Sequence, residues 1–274
     1  MSTFAHSDFD SAAYNAYRPI YGQNVYEKIY SFHKSHNGQF DTALDIGTGT
    51  GQVASELSNS FKQVYATDIS PIMLQNAIKK SNVSYSLSTA EDLSQISSNS
   101  VDLITTAQAA HWFNMTEFYK ETFRVLKPHG TLAIWAYGHN ILKDYPNFRQ
   151  LMKKFIEDDD KLGPYWDKGR ESVDNLYRDF KIPEEKFQNI KWEIYDGDET
   201  PNTEPLIQTT WDITRLTKYF KTWSAYKNYL AANPNLPDPI DMHIADIRQL
   251  NGWKHNEVLQ VCWQSVFILA ERKP

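Results

Sequence analysis

Ten residues, Thr42–Gly51 (TALDIGTGTG), constrain this chain more than any other stretch. Ala43, Leu44 and Ile46 suit a short strand buried in a parallel sheet, where the apolar run is continuous rather than alternating. Asp45 stands near the end of that run, and Gly47, Gly49 and Gly51 follow at a spacing of two. Glycine tolerates positive φ and carries no Cβ, so three of them after a strand let backbone N–H groups come close to a ligand. Gln52–Ser60 is the predicted helix behind the loop, with its N-terminus turned to a nucleotide-type ligand.

A bare turn uses glycine for the same backbone reasons, so the loop needs support from its surroundings. Gln63–Thr67 reads as a second short strand ending at Asp68, where folds of this type set an acid against ribose hydroxyls. The dinucleotide fingerprint G-x-G-x-x-G is not met, because Gln52 stands where its last glycine belongs, and a nicotinamide-dependent oxidoreductase is disfavoured. From Phe40 to Tyr137 short apolar runs alternate with helical stretches, which predicts βαβ units, a parallel sheet and right-handed crossovers. Ser70-Pro71 marks a helix start. Phe113–Leu126 is the helix before strand five, with Phe118, Phe123 and Leu126 towards the sheet and Glu117, Lys120 and Glu121 outward.

On these residues the chain resembles the class I S-adenosylmethionine-dependent methyltransferases, whose pattern is an acid, one residue, then Gly-x-Gly-x-Gly after the first strand. Asp45, Gly47, Thr48, Gly49 and Gly51 match the loop that holds the methionine part of the cofactor. Asp68 matches the ribose-binding acid, and Ile69 and Met73 in Ile69-Ser-Pro-Ile-Met73 the apolar side of the adenine slot. Ala90 and Glu91, in Ala90-Glu91-Asp92-Leu93, resemble the segment beside the adenine. Strand four, Val101–Thr105, leads into Ala107-Gln108-Ala109-Ala110-His111-Trp112-Phe113, and Leu126-Lys127-Pro128-His129-Gly130-Thr131-Leu132 resembles the turn into strand five. The resemblance implies an α/β, Rossmann-like, doubly wound fold, a mainly parallel seven-stranded sheet with a cap insertion in the C-terminal half. It also implies S-adenosyl-L-methionine as cofactor and S-adenosyl-L-homocysteine as product.

Phe9–Tyr21 contains Tyr14, Tyr17, Arg18 and Pro19 ahead of a helical pattern at about Gln23–His33. The plain reading is a leader whose aromatics pack on the core. In similar methyltransferases a Tyr and an Arg-Pro pair fold over the cofactor as a lid. The resemblance therefore makes Tyr14, Tyr17 and Arg18 candidates for the cofactor or the substrate, with the Arg18 guanidinium suited to a carboxylate.

After Tyr137 the sequence turns aromatic, charged and Pro-containing, without clean βα alternation, as expected of an insertion over the ligand edge of the sheet. Predicted within it are a helix over Leu151–Asp160, a turn at Leu162-Gly163-Pro164-Tyr165-Trp166, a strand over Lys191–Tyr195 and a helix over Ile213–Leu230. A loop over Asn233–Asp241, a helix over Asp241–Leu250 and a closing strand over Val258–Ala270 follow. The expected organisation is residues 1–36 as lid and helix, 37–140 as cofactor-binding core, 141–254 as cap with a sheet strand near 190–196, and 255–274 as closing strand.

Ala109-Ala110-His111-Trp112-Phe113, Ile134-Trp135-Ala136-Tyr137, Leu162–Trp166 and Thr222-Trp223-Ser224-Ala225-Tyr226 narrow the resemblance. They are similar to the branch containing fungal trans-aconitate methyltransferases and related enzymes that esterify small carboxylic acids. In this reading Trp112, Trp135, Tyr137 and Trp223 wall a small dry pocket, although most such aromatics are core. A carboxylate nucleophile is already ionised at neutral pH and requires no base. His111 is the titratable group after strand four: a base for another oxygen or nitrogen acceptor, such as a phenol, or a neutral hydrogen-bonding residue.

The chain's 274 residues, net charge of −6 and single cysteine bound the remaining classes. The length supports a sizeable core, and the acidic balance argues against a nucleic-acid surface. Without an internal disulfide, a charged-then-apolar leader or a long apolar run, a cytoplasmic protein outside the membrane is expected. His33 and His36 lie one turn apart, but no acid or cysteine cluster beside them in sequence completes a metal site. A small-molecule substrate is the expected partner, a non-catalytic cofactor-binding module is the remaining alternative, and nothing sets an oligomeric state.

Overall fold

A computed structural model describes residues 16–197, 203–254 and 256–274. The strands are β1 (Thr42–Ile46), β2 (Gln63–Asp68), β3 (Val83–Leu87), β4 (Val101–Ala107), β5 (Leu126–Leu142), β6 (Phe187–Tyr195), β7 (Gln208–Asp212) and β8 (Val258–Arg272). They form one sheet in the order β3-β2-β1-β4-β5-β8-β6, with β7 paired to β8 off this path. β1 to β5 pair in parallel, whereas β8 runs antiparallel to β5, β6 and β7. The fold is α/β and Rossmann-like with a mainly parallel sheet. Its eighth strand, β7, lies outside the seven expected. Trp211 is the one apolar residue among its five, so no apolar run marks it in the sequence.

Strand order reverses between β1 and β4: β2 lies on one side of β1, β4 on the other. A crevice opens beyond the carboxyl ends of strands at such a reversal, and here it places the Gly-rich loop beside the segment after β4.

The helices are α1 (Gln23–Ser35), α2 (Gln52–Leu57), α3 (Pro71–Gln75), α4 (Met115–Val125), α5 (Pro146–Glu157), α6 (Arg170–Asp174), α7 (Ile213–Phe220), α8 (Ser224–Ala232) and α9 (Pro239–Asn251). Alternation along the strands divides the core into two apolar layers. Ala43, Leu103, Ala133 and Trp135 join the layer with α1, α2, α5, α7, α8 and α9, while Leu44, Ile104, Leu132 and Ile134 join the layer with α4 and α6.

Four element expectations need correction. The Ile213–Leu230 helix is two helices, because Thr222 turns its hydroxyl back onto the Tyr219 carbonyl at 2.6 Å and Trp223 is extended. The Leu151–Asp160 helix begins earlier, with Pro146 in its first turn, and stops at Glu157. Acids at a helix C-terminus face the negative end of its dipole, so Asp158–Asp160 lie beyond it. The Asn233–Asp241 loop ends early, because Asp238 caps the backbone N–H groups of Ile240 and Asp241 and starts α9. Glu121 is not outward: it accepts from Leu93 N at 2.9 Å and pairs with Arg124 at 2.7 Å. Strands β6 and β7 lie within the segment expected as cap, and β5 runs past residue 140 into it.

Candidate active site

The loop after β1 closes around Asp45, which is buried against solvent. Its two carboxylate oxygens accept from the hydroxyls of Thr48 at 2.6 Å and Thr105 at 2.7 Å. Burial pushes its pKa up to about 6, against the pull of the two hydroxyls. The Thr48 N–H donates to the Thr67 carbonyl at 2.9 Å, tying the loop to the end of β2. At Gly47 φ is +68° and a Cβ would strike the Cβ of Ala109. At Gly49 φ is +56° and nothing stands within 4 Å of where a Cβ would be, so its backbone faces open cleft.

Asp68, at the end of β2, accepts from Gly49 N and Ser70 N, both at 2.8 Å. Burial raises its pKa, opposed by these N–H groups. An ionised carboxylate has about four acceptor positions. Gly49 N and Ser70 N take one on each oxygen and the Ile69 N–H also bears on the group, which leaves acceptor capacity for a ligand's hydroxyl.

The cleft has a volume of about 930 Å³. The loop residues Asp45, Gly47, Thr48 and Gly49 line it, as do Asp68, Ile69 and Met73 around the start of α3. Ala90 and Glu91 come from the segment after β3, and Gln108, His111 and Trp112 from the segment after β4. Thus residues from four strand ends meet in one concavity. The fit to S-adenosylmethionine rests on the open backbone at Gly49, the spare acceptors of Asp68 and the apolar Ile69 and Met73 beside it.

Other candidates lie elsewhere. Gly51 stands behind the loop as the left-handed cap of α2. Tyr17 lies under the Lys218 ammonium, 5.2 Å from its ring, and does not line the cleft. Trp135 is fully buried against Tyr21 and Phe267, and Trp223 packs on Trp166 and Phe220; neither walls the cleft. Tyr137 is also buried, but its hydroxyl accepts from Arg18 Nη1 at 3.4 Å. Tyr14 lies outside the described residues.

Arg18 is held at a smaller side chamber of about 50 Å³, which shares Gln108, His111, Trp112, Trp166 and Asp167 with the cleft. Its Nη2 donates to the Thr222 carbonyl at 3.2 Å. Arg170 and Ser224 also line the chamber. The Arg170 guanidinium lies 4.4 Å over the Trp166 ring and donates from Nε to Asp174 at 2.6 Å. Asp167 stands on the same wall, accepting from Asn228 Nδ2 at 3.3 Å. Sequence reading missed Asp167, Arg170 and Tyr177. Asp167 directly follows the aromatic turn at Leu162–Trp166 and Arg170 opens the five-residue α6, and so short a charged stretch carries no period.

His111 occupies a single helical turn, Ala110–Trp112, and its Nδ1 lies 2.9 Å from the Tyr177 hydroxyl. Burial pushes its pKa down to about 3, with the Arg170 charge adding to the fall and Asp174 opposing it. The imidazole is neutral at physiological pH. His33 bridges the Thr131 hydroxyl and Gln39 carbonyl, and His36 faces Glu271 at 3.2 Å. Among the described residues no helix is long and apolar enough to cross a membrane.

Comparison with known proteins agrees with this geometry. A family model described as a methyltransferase domain matches residues 44–134. A protein of Dictyostelium discoideum bearing the name methyltransferase is 34% identical over 224 residues, covering 81% of this chain and 78% of that protein. A Saccharomyces cerevisiae protein named as an S-adenosylmethionine-dependent methyltransferase is 26% identical over 290 residues, covering 99% of each. A solved structure named as a type II methyltransferase from Anaeromyxobacter dehalogenans superposes with a TM-score of 0.71 at 25% identity, covering 94% of this chain and 99% of that one.

Proposed function

The chain belongs to the class I S-adenosylmethionine-dependent methyltransferases, and we propose that its methyl acceptor is a small organic acid, of the trans-aconitate kind, esterified on a carboxylate. The observation that carries this reading is the pair of guanidiniums, Arg18 and Arg170, among the residues lining the side chamber, with Asp167 also on its wall and Asp174 pairing with Arg170 Nε. Its volume, about 50 Å³, has room for roughly three waters, and so for one small polar group rather than a whole acid. A carboxylate there meets two guanidiniums while the rest of the acid extends into the cleft.

S-adenosylmethionine, when bound, supplies a methyl carbon on a sulfonium, attacked in line by an oxygen lone pair while the carbon–sulfur pair leaves with sulfur. Gly47, Thr48 and Gly49 would hold its methionine part, Asp68 its ribose hydroxyls, and Ile69 and Met73 an adenine face. Trp112 and Trp166 keep water from the acceptor's end. A carboxylate gives up no proton, so the reading requires no base. The neutral His111, whose nitrogen would hold a proton poorly near pH 7, supports it over a phenol or amine acceptor.

The test supplies labelled methyl donor with di- and tricarboxylic acids, phenols, bulk protein and RNA, then treats the products with mild base. Label released as methanol from the acids is expected. Base-stable label on a phenol or a polymer overturns the assignment.

A further inference from the structure

Tyr177 makes no contact with the cleft, yet its hydroxyl is aimed at His111. Tyr177 is fully buried, and its hydroxyl lies 2.9 Å from His111 Nδ1, with the His111 backbone N–H also acting on the phenol oxygen. Two proton arrangements satisfy that distance. If Nδ1–H donates to the phenol oxygen, the buried O–H is left with no acceptor among the described residues, which costs the desolvation of an unpaired donor. If the O–H donates to Nδ1, both groups are satisfied and the ring proton resides on Nε2. His111 lines both the cleft and the side chamber, and among the described residues Nε2 has no hydrogen-bond partner.

The phenol is held firmly. Its ring stacks on Phe180 at 4.2 Å between centroids with planes 9° apart. Its backbone is at φ +53°, with Leu176 at +51°, and its N–H donates to the Ser172 carbonyl at 2.8 Å. Side chains other than glycine occupy that region at a cost, which the surrounding packing must offset. Burial also pushes the phenol's pKa up, so the hydroxyl keeps its proton and remains a donor.

We propose that Tyr177 is a positioning residue that fixes His111 in the Nε2–H tautomer, so that His111 offers the methyl acceptor a hydrogen-bond donor and takes no proton from it. The inference rests on the reading of the side chamber as the acceptor's end of the site. An Nε2–H beside Arg18 and Arg170 adds a third donor for a carboxylate.

The test is long-range proton–nitrogen NMR of histidine-labelled protein, with His111 identified by loss of its signals in His111→Gln. The wild-type enzyme is expected to show a protonated Nε2 and a bare Nδ1, and Tyr177→Phe a rise in the Nδ1–H form. With the ester acceptor, Tyr177→Phe is expected to lose roughly two- to tenfold in kcat, the scale of one misaligned hydrogen bond. An Nδ1–H tautomer in the wild type overturns the proposal, as does an unchanged tautomer in Tyr177→Phe. The spectrum is recorded without acceptor. A phenolic product with the Nε2–H tautomer intact would therefore refute the substrate assignment alone.

Discussion

The side-chain amide of Gln108 pairs with the backbone of Tyr137 as a strand residue would, accepting from its N–H at 2.7 Å and donating to its carbonyl at 3.0 Å. Beyond the last regular pairing of β4 with β5, at Ala107 and Trp135, the chain after β4 turns away to form the cleft wall. Gln108 sits at that divergence with φ +54° and satisfies the peptide groups that the missing strand residue would have met.

Gln108→Ala is accordingly expected to leave two backbone groups of a buried residue without partners. The loss should be on the order of 1–3 kcal/mol, read from urea denaturation at neutral pH. A variant as stable as the wild type would show that water replaces the amide without penalty.

Asp68→Asn retains the shape but replaces one acceptor oxygen by an NH₂ that meets the N–H of either Gly49 or Ser70. Affinity for S-adenosylhomocysteine should fall roughly tenfold to a hundredfold, in keeping with a lost hydrogen bond to a charged group. Calorimetric titration gives the answer, and an unchanged Kd would remove Asp68 from the ribose position.

Gly49→Val should abolish cofactor binding for two separable reasons. A β-branched residue at φ +56° is strained, and its side chain projects into the space now open above the backbone. Retained affinity in the folded variant would sink the loop assignment.

Arg170→Lys retains a positive charge but loses the planar group that lies over Trp166 and donates to Asp174. The KM for a carboxylic acid should rise while the Kd for S-adenosylhomocysteine stays constant. Equal effects on both ligands would place Arg170 in the general packing of the site instead.

The pH dependence of Asp45 has a definite sign. Its folded pKa, about 6, lies above its unfolded value, so the folded state binds more protons between roughly pH 4 and 6. Wild-type stability should therefore decline relative to Asp45→Asn as pH rises through that window, by up to about 3 kcal/mol. Melting curves of both proteins across it test the claim, and a constant difference would show that Asp45 titrates normally.

His111 behaves oppositely, since its folded pKa of about 3 lies below the unfolded one. As pH falls below about 6.5 the unfolded state takes up the proton first, so stability declines towards acid. Tyr177, Arg170 and Asp174 are the titratable groups facing it. Methyl transfer should show no step from this residue between about pH 6 and 8, and a sigmoidal rise there that is lost in His111→Gln would establish a base.

By itself the sequence determined the cofactor half of this protein. A strand, a loop and an acid at the next strand end are local features, each fixed by the backbone freedom of glycine or by the run of apolar residues, and Asp45, Gly49 and Asp68 meet in the cleft as their order along the chain requires. The proposed acceptor end of the site was decided by tertiary structure. Arg18, Arg170 and His111 come from distant parts of the chain and converge only when β5 and β8 extend past the sheet and carry the later helices over its edge. Aromatic composition could not separate Trp112, which lines the cleft, from Trp135, which lies in the core, because both suit an apolar environment. Tyr177 left no sequence signal either. The role proposed for its hydroxyl comes from the imidazole packed against it, and that neighbour lies 66 residues away.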